Sequence, residues 1–380
     1  MAVITDVLVV GAGPAGLATA IGLAQRGIDF RIVDALPEAQ NTSRAAVIHA
    51  ATLESLRGLQ VEGRLIAQGI KVPNFRMRDR DSVLLHVDFT GLPSPTPYAL
   101  MIPQDESERI LIDRLAALGH VVERPVRLQG IEITGGRIRA GCVGPHGELV
   151  IEARYIVGAD GEKSTVRTQA GIGFPGETYG SFLLADVRMD WPIAKDEVTL
   201  FFSEAGTLVV APMSGDRHRV VAQLPDAPSV PTVSDVQKVI DTRGPRSGAG
   251  VREILWGSRF QVHHKLADRF RDGSVLLVGD AAHVHSPAGG QGMNLGLRDA
   301  AALSQALAEA IRNGSDAALD GYAAARRSAA AEVLATTDRL TRVATLSDPA
   351  SRWLRNRAIG ALGFLPVVRS YAARKLAGFS

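Results

Sequence analysis

Two stretches of this sequence combine glycines, a carboxylate and an apolar run in spacings that suit ligand chemistry. In the first, Val3 to Val10 is apolar and β-branched and runs directly into Gly11-Ala12-Gly13-Pro14-Ala15-Gly16. Leu17 to Arg26 continues with helical spacing, and Phe30 to Val33 reads as a second strand ending in Asp34. Strand, GxGxxG, helix, strand and acid in that order form a dinucleotide fingerprint. Gly11, Gly13 and Gly16, with Ala15 among them, allow a tight turn and bring a pyrophosphate close to a helix N-terminus, where Asp34 can bond a ribose hydroxyl. In the second stretch, Val275 to Val278 reads as a buried strand that Gly279-Asp280 stops. Pro287, Gly289, Gly290 and Gly292 then remove side-chain bulk before Met293 to Ala302 resumes helical spacing. The free N–H groups and positive dipole of that helix start favour an anion or an electron-rich heterocycle, and a flat ring can lie against the bare backbone.

Other chemistries find little support. The chain has 380 residues, enough for two domains, and a formal net charge of +2, so nothing global calls for nucleic acid. Cys142 is the only cysteine, which excludes an internal disulfide and any cysteine-based metal cluster. His263 and His264 are neighbours on an expected strand and point to opposite faces, so no metal is expected. Neither GxSxG nor HExxH occurs. The apolar N-terminus lacks a basic flank and is broken by glycines, and no long uncharged run suggests a membrane span. A reducing cytosol is the expected setting.

The elements that must position these motifs follow from periodicity. Strands are expected at Asn74 to Asp79, Val83 to Phe89, Val121 to Glu123, Val126 to Ile133, Arg137 to Cys142, Glu148 to Ile151 and Tyr155 to Val157, the middle ones as a small meander flanking the nucleotide layer. Gln104 falls in a loop before a helix at Ser107 to Leu118. Four evenly spaced apolar runs between Phe182 and Leu224, a short helix at Val236 to Ile240 and a strand near Gly257 to Phe260 suggest an antiparallel sheet over the ring, with Phe201, Phe202, Met213 and Leu224 as candidate wall residues. The end is helical. Its last thirty residues carry six basic side chains and no acid, read as a closing helix with a solvated face, with contact to an anionic membrane as the alternative.

The string GDAAHxxxPxGGQGMNxGxxDA, Gly279 to Ala300, resembles the flavin-contacting motif of the class A flavoprotein aromatic hydroxylases, the single-component FAD monooxygenases related to p-hydroxybenzoate hydroxylase. Within that family the chain is most similar to polyketide and phenol hydroxylases, without the thioredoxin-like C-terminal domain some of them carry. The resemblance implies an α/β fold: a Rossmann-like FAD-binding domain (1–70, 101–175 and 268–345), an inserted antiparallel-sheet substrate domain (71–100 and 176–267) and a helical tail (346–380). It implies that Asp280 bonds the ribityl chain of non-covalent FAD, that Pro287 lies near the reactive face of the ring, and that Gly290, Gly292, Met293 and Asn294 line its pyrimidine edge. Pro287, Gly290 and Asn294 are thereby the residues expected at the chemistry. Arg44 would lie near the flavin, Gln104 would touch FAD from a PQxxxE segment, and Asp160 and Arg167 of a DG motif would support the pyrophosphate and NAD(P)H use. Asp34 stands where the family usually has Glu, which shortens the reach to ribose. The implied reaction uses NADPH or NADH and O2 to hydroxylate an aromatic substrate through a C4a-hydroperoxyflavin. A membrane-associated quinone-pathway hydroxylase and a non-catalytic flavin-binding protein are the alternatives; a halogenase is disfavoured because Asp190-Trp191-Pro192-Ile193 offers one tryptophan where that signature has two.

Overall fold

The computed structural model describes residues 3–39, 45–285, 289–344, 346 and 348–379. Arg44 and Pro287 lie outside the described residues. In chain order the first elements are β1 (Val3–Val10), α1 (Pro14–Ala24), β2 (Phe30–Val33), β3 (Val47–Ile48), α2 (Ala50–Leu56), α3 (Glu62–Gln68), β4 (Ile70–Val72), β5 (Asn74–Asp79), β6 (Ser82–Asp88), β7 (Ala99–Met101) and α4 (Gln104–Ala117). Next come β8 (Arg127–Thr134), β9 (Arg137–Gly144), β10 (Gly147–Gly158), α5 (Thr165–Gln169), β11 (Gly176–Asp190), β12 (Glu197–Ser203), β13 (Gly206–Pro212), β14 (Arg217–Gln223), α6 (Val233–Arg243) and β15 (Gly250–Leu266). The chain ends with β16 (Arg271–Asp272), β17 (Val275–Leu277), β18 (His283–Val284), α7 (Gly292–Asn313), α8 (Ala317–Ala344), α9 (Pro349–Leu362) and α10 (Pro366–Leu376).

The two motifs converge because their strands share one sheet. β17, β10, β1 and β2 are parallel neighbours, with Val10 beside Gly158 and Gly158 beside Leu277, so the loops after β1, β10 and β17 emerge at the same edge. That edge, at the carboxyl ends of parallel strands, is where open α/β sheets bind ligands. Continuous apolar runs are required here because the sheet is covered on both faces, and Val7, Leu8, Val9, Ile156, Val157 and Leu276 are fully buried.

The meander flanks the parallel strands and is hydrogen-bonded to them: β8 and β9 lie off the parallel path, with β9 paired to the first half of β10. The expected strands at Glu148 to Ile151 and Tyr155 to Val157 are one element: β10 pairs antiparallel with β9 along its first half and parallel with β1 and β17 along its second. Val121 to Glu123 is not a strand; only Glu123 bridges to Val33. Gln104 is the first residue of α4 and not a loop residue.

A second sheet of eight strands runs in the order β18-β15-β11-β14-β13-β12-β5-β6. Its side chains alternate as strand geometry demands. Leu183, Phe201, Leu208, Val210, Val220 and Ala222 face α6 and bury against Val236, Val239 and Ile240, so the intervening residues face the nucleotide layer. β18, from the loop of the second motif, joins this sheet through Leu266 and His283 and ties the two sheets together. A small antiparallel sheet of β3, β7 and β4 lies between them.

The C-terminal helices close the structure as expected. Ala373 and Ala377 pack into a cluster with Leu85, Val87, Phe89 and Leu92. The end of α10 is tied down by Ala51 N–H to Ala377 O (3.1 Å) and by Arg298 Nη1 to Gly378 O (2.6 Å). The outward, solvated side of α9 and α10 mixes apolar and basic residues: Leu354, Leu362, Val367 and Tyr371 are exposed beside Arg357 and Arg369.

Candidate active site

The glycines of the first motif divide by what demands them. A Cβ on Gly11 would sit 2.3 Å from Ala159 O, and one on Gly16 would sit 1.9 Å from Gly11 O, so both are required by the protein's own packing. A Cβ on Gly13 would meet nothing within 4 Å, and its φ of −75° suits any residue. The space beside Gly13 is open, as a cradle for a pyrophosphate must be. α1 has neither a side-chain cap nor an acidic residue in its first turn, which leaves its N-terminal N–H groups available to an anion.

Asp34 lines the same space, and its carboxylate is held from several sides. Ala12 N–H donates to Oδ2 (2.7 Å), Leu36 N–H donates to Oδ1 (2.8 Å), and Arg124 Nη1 lies 3.1 Å from Oδ1. Gln104 accepts from Ala45 N–H (3.1 Å) and donates to Glu108 (2.8 Å) at the rim. Burial raises the pKa of Glu108.

The second motif packs directly on the first. A Cβ on Gly279 would lie 2.9 Å from the Ala15 Cβ, and one on Gly296 would lie 3.1 Å from the Gly279 Cα, so these glycines let α1 and α7 converge on one point. Asp280 is exposed in a single 3-10 turn at Gly279–Ala281 and lines the cavity. α7 starts at Gly292 with no side-chain cap and no acid in its first turn. The N–H groups of Gly292, Met293 and Asn294 therefore have no partner within the helix. The Asn294 side chain is buried and fully engaged: it accepts from His49 N–H (2.8 Å) and donates to Val47 O (2.9 Å) and Gly290 O (2.7 Å). Its amide fastens the glycine loop to β3, so any contribution it makes toward a ligand comes from its backbone.

Sequence reasoning passed over His49. Its Nε2–H donates to Gly289 O at 2.7 Å, and burial lowers its pKa to about 4, so the ring is neutral with Nδ1 as the bare nitrogen. His49 and Gly289 lie 240 residues apart, and no spacing signal links them. His283 is structural: Nε2 lies 2.7 Å from Asp299 Oδ2, and Asp299 Oδ1 accepts from Arg326 Nε at 2.5 Å in a buried chain beneath the loop.

The DG motif forms a helix start. Asp160 accepts from Ser164 Oγ (2.5 Å), Thr165 N–H (2.7 Å) and Val166 N–H (3.1 Å), while burial raises its pKa. Arg167 is buried, stacks on Phe174 and donates to Ala281 O (2.9 Å) and Glu162 O (2.7 Å). It links the third nucleotide loop to the turn of Asp280. Asp160 lines the cavity and Arg167 acts from behind it.

These parts border one cavity of about 1130 Å³ that runs from Gly13 past Asp280 and Gly292 to the eight-stranded sheet. Single-ligand pockets hold roughly 300–1,000 Å³, so the space suits a dinucleotide and a second molecule together. Its far wall is the alternate set of strand residues, including Phe75, Phe182, Leu200, Phe202, Trp256 and Phe260. Of the four expected wall residues only Phe202 is there. Phe201 points to α6, Leu224 packs against that same core, and Met213 joins a cluster with Val72 and Met101, because a one-residue step along a strand changes the face.

Residues 4–337 match the family model described as an FAD binding domain. The chain belongs to this FAD-binding family. An uncharacterized aromatic compound monooxygenase of Bacillus subtilis is 34% identical over 98% of the chain and 74% of its own length. Among solved structures, p-nitrophenol 4-monooxygenase from Pseudomonas putida matches with a TM-score of 0.87 at 25% identity, covering 100% of this chain and 99% of that one. Aklavinone-11 hydroxylase, in a ternary complex with FAD and aklavinone, matches with a TM-score of 0.75 at 27% identity over 88% of this chain and 68% of that one. The family member described here is thus an FAD-dependent monooxygenase, and its relatives are aromatic hydroxylases of a family that typically uses NAD(P)H and O2. The open cradle at Gly13 and the uncapped starts of α1 and α7 fit FAD.

Proposed function

We propose that the substrate is a bulky, uncharged polycyclic phenol. The supporting observation is the character of the far wall: Phe182, Leu200, Phe202, Val209, Trp256 and Phe260 give a broad apolar surface. The guanidinium on that face, Arg219, is gripped by Asp186 through bonds of 2.7 and 2.8 Å. A substrate carboxylate would have to compete with Asp186 for it, whereas Thr207, Gln223 and Ser258 on the same face suit hydroxyl and carbonyl oxygens.

FAD supplies hydride acceptance from NAD(P)H and the activation of O2; everything else falls to the chain. In this reading Gly13 and the α1 N-terminus hold the pyrophosphate, Asp34 the ribose and Asp280 the ribityl chain. Gly290 and the N–H groups of Gly292, Met293 and Asn294 meet the pyrimidine edge, where positive dipole stabilises negative charge. Pro287 near the ring and Arg44 beside it rest on the family resemblance. The apolar wall excludes water and orients the ring carbon. The division into an FAD-binding part, a substrate sheet and a C-terminal helical part belongs to the same reading, as does a cytosolic setting.

The test is a panel of phenols, hydroxybenzoates and polycyclic phenols with NADPH and NADH in air, followed by product mass. Polycyclic phenols should accelerate oxidation and gain one oxygen. Preference for a small charged benzoate would overturn the proposal.

A further inference from the structure

α9 and α10 present an apolar face to solvent. Arg355, Gly363, Ala373 and Ala377 are buried, while Leu354 (63% exposed), Phe364 (77%), Val367 (80%) and Tyr371 (62%) point outward. Leu354, Ala358, Ala361 and Leu362 follow helical spacing along the outer side of α9, and Val367 and Tyr371 do so on α10. A helix lying on a globular protein normally turns its polar side outward. Trp353, Phe364 and Tyr371 are also the exposed aromatic side chains among the described residues.

The same segment is strongly basic. Residues 349–380 contain no Asp or Glu. Arg357 and Arg369 are exposed beside the apolar stripe, Arg357 with its guanidinium 5.0 Å from the Trp353 ring. Arg352, Arg355 and Arg357 gather with Trp353 around a separate cavity of about 320 Å³, which Asp79 and Glu204 also border. A second copy packed symmetrically on this face would bring arginines against arginines. A surface both apolar and anionic satisfies both features.

We propose that this face rests on an anionic phospholipid bilayer, its aromatic and aliphatic side chains in the interfacial zone and its arginines among the phosphates. Attachment is peripheral: no helix among the described residues is long and apolar enough to cross a membrane. Tyr371, Ala372 and Lys375 of α10 also line the active-site cavity. The bound enzyme therefore places its cavity rim at the lipid, where an apolar aromatic partitions.

The experiment is co-sedimentation of the FAD-loaded full chain with vesicles of phosphatidylcholine alone or mixed with phosphatidylglycerol. Retention is expected on the mixed vesicles, weakening with salt, with little on phosphatidylcholine. A Leu354→Ser/Phe364→Ser/Val367→Ser variant and an Arg357→Glu/Arg369→Glu variant should each lose retention by roughly tenfold or more while keeping FAD content and turnover of a water-soluble aromatic. Absence of retention on the mixed vesicles, or unchanged retention by both variants, overturns the proposal. So does sedimentation velocity showing a dimer that the serine variant splits, without vesicle binding; the face would then join two copies.

Discussion

Gly13→Ala separates a glycine kept for a ligand from one kept for the fold. An alanine Cβ at position 13 meets no protein atom within 4 Å, and the φ of −75° is ordinary. Reduced freedom of the unfolded chain gains about 0.4–1 kcal/mol, and replacing glycine at this N-cap costs a comparable amount, so stability without FAD should change by less than about 1 kcal/mol. With FAD bound, the methyl group occupies space the pyrophosphate needs. Overpacking of that kind costs about 1–3 kcal/mol, which raises the dissociation constant roughly 5- to 150-fold. Gly16→Ala is the control: its Cβ would lie 1.9 Å from Gly11 O, so it should lose stability with or without cofactor. The assay is thermal unfolding of stripped protein together with FAD titration by flavin fluorescence. A Gly13→Ala variant that binds FAD as tightly as the parent would refute the reasoning, because the open space would then not be the pyrophosphate cradle.

Three further outcomes follow from the same geometry. Asn294→Ala removes a buried amide that makes three hydrogen bonds to β3, His49 and Gly290; it should cost about 2–4 kcal/mol by denaturant unfolding and weaken FAD retention. Phe201→Ala, emptying the core under α6, should cost about 3–5 kcal/mol. Its neighbour Phe202→Ala should mainly change KM and aromatic preference, and equal effects at the two positions would contradict the assignment of faces. His49 is neutral in the folded protein, with its pKa lowered from 6.5 to about 4 by burial. The unfolded chain binds the extra proton first, so this residue's share of stability is complete above about pH 6.5 and is lost as pH falls toward 4, by about 3 kcal/mol. His49→Gln should flatten that part of the stability profile, measured by urea unfolding across the interval.

Much of this was legible in the residues because periodicity and glycine spacing are local signals. β1, β2 and β5 have the residues expected, and the four apolar runs of the second sheet are strands. What stayed hidden depends on partners far away in sequence. β10 reads as two strands because its pairing changes from antiparallel to parallel halfway along. Val121 to Glu123 has strand-like residues but a single bridge, Glu123 to Val33 at the end of β2. The face of each strand residue in the second sheet was not readable, because both faces are apolar: one packs on α6 and the other walls the cavity. His49 escaped notice for a similar reason, its partner lying in another motif. Composition and charge suggested a basic C-terminal segment, but only packing shows which side of α9 and α10 is left outward.

Aromatic hydroxylation in a cavity shared by FAD and a polycyclic ring is open to direct test. The most direct measurement is turnover under isotopically labelled dioxygen with NADPH and a polycyclic phenol, followed by mass analysis of the product. One labelled oxygen per product molecule is expected, with NADPH oxidation that the phenol accelerates. NADPH oxidation yielding only hydrogen peroxide with every ring unchanged, or product oxygen drawn from water, would contradict it.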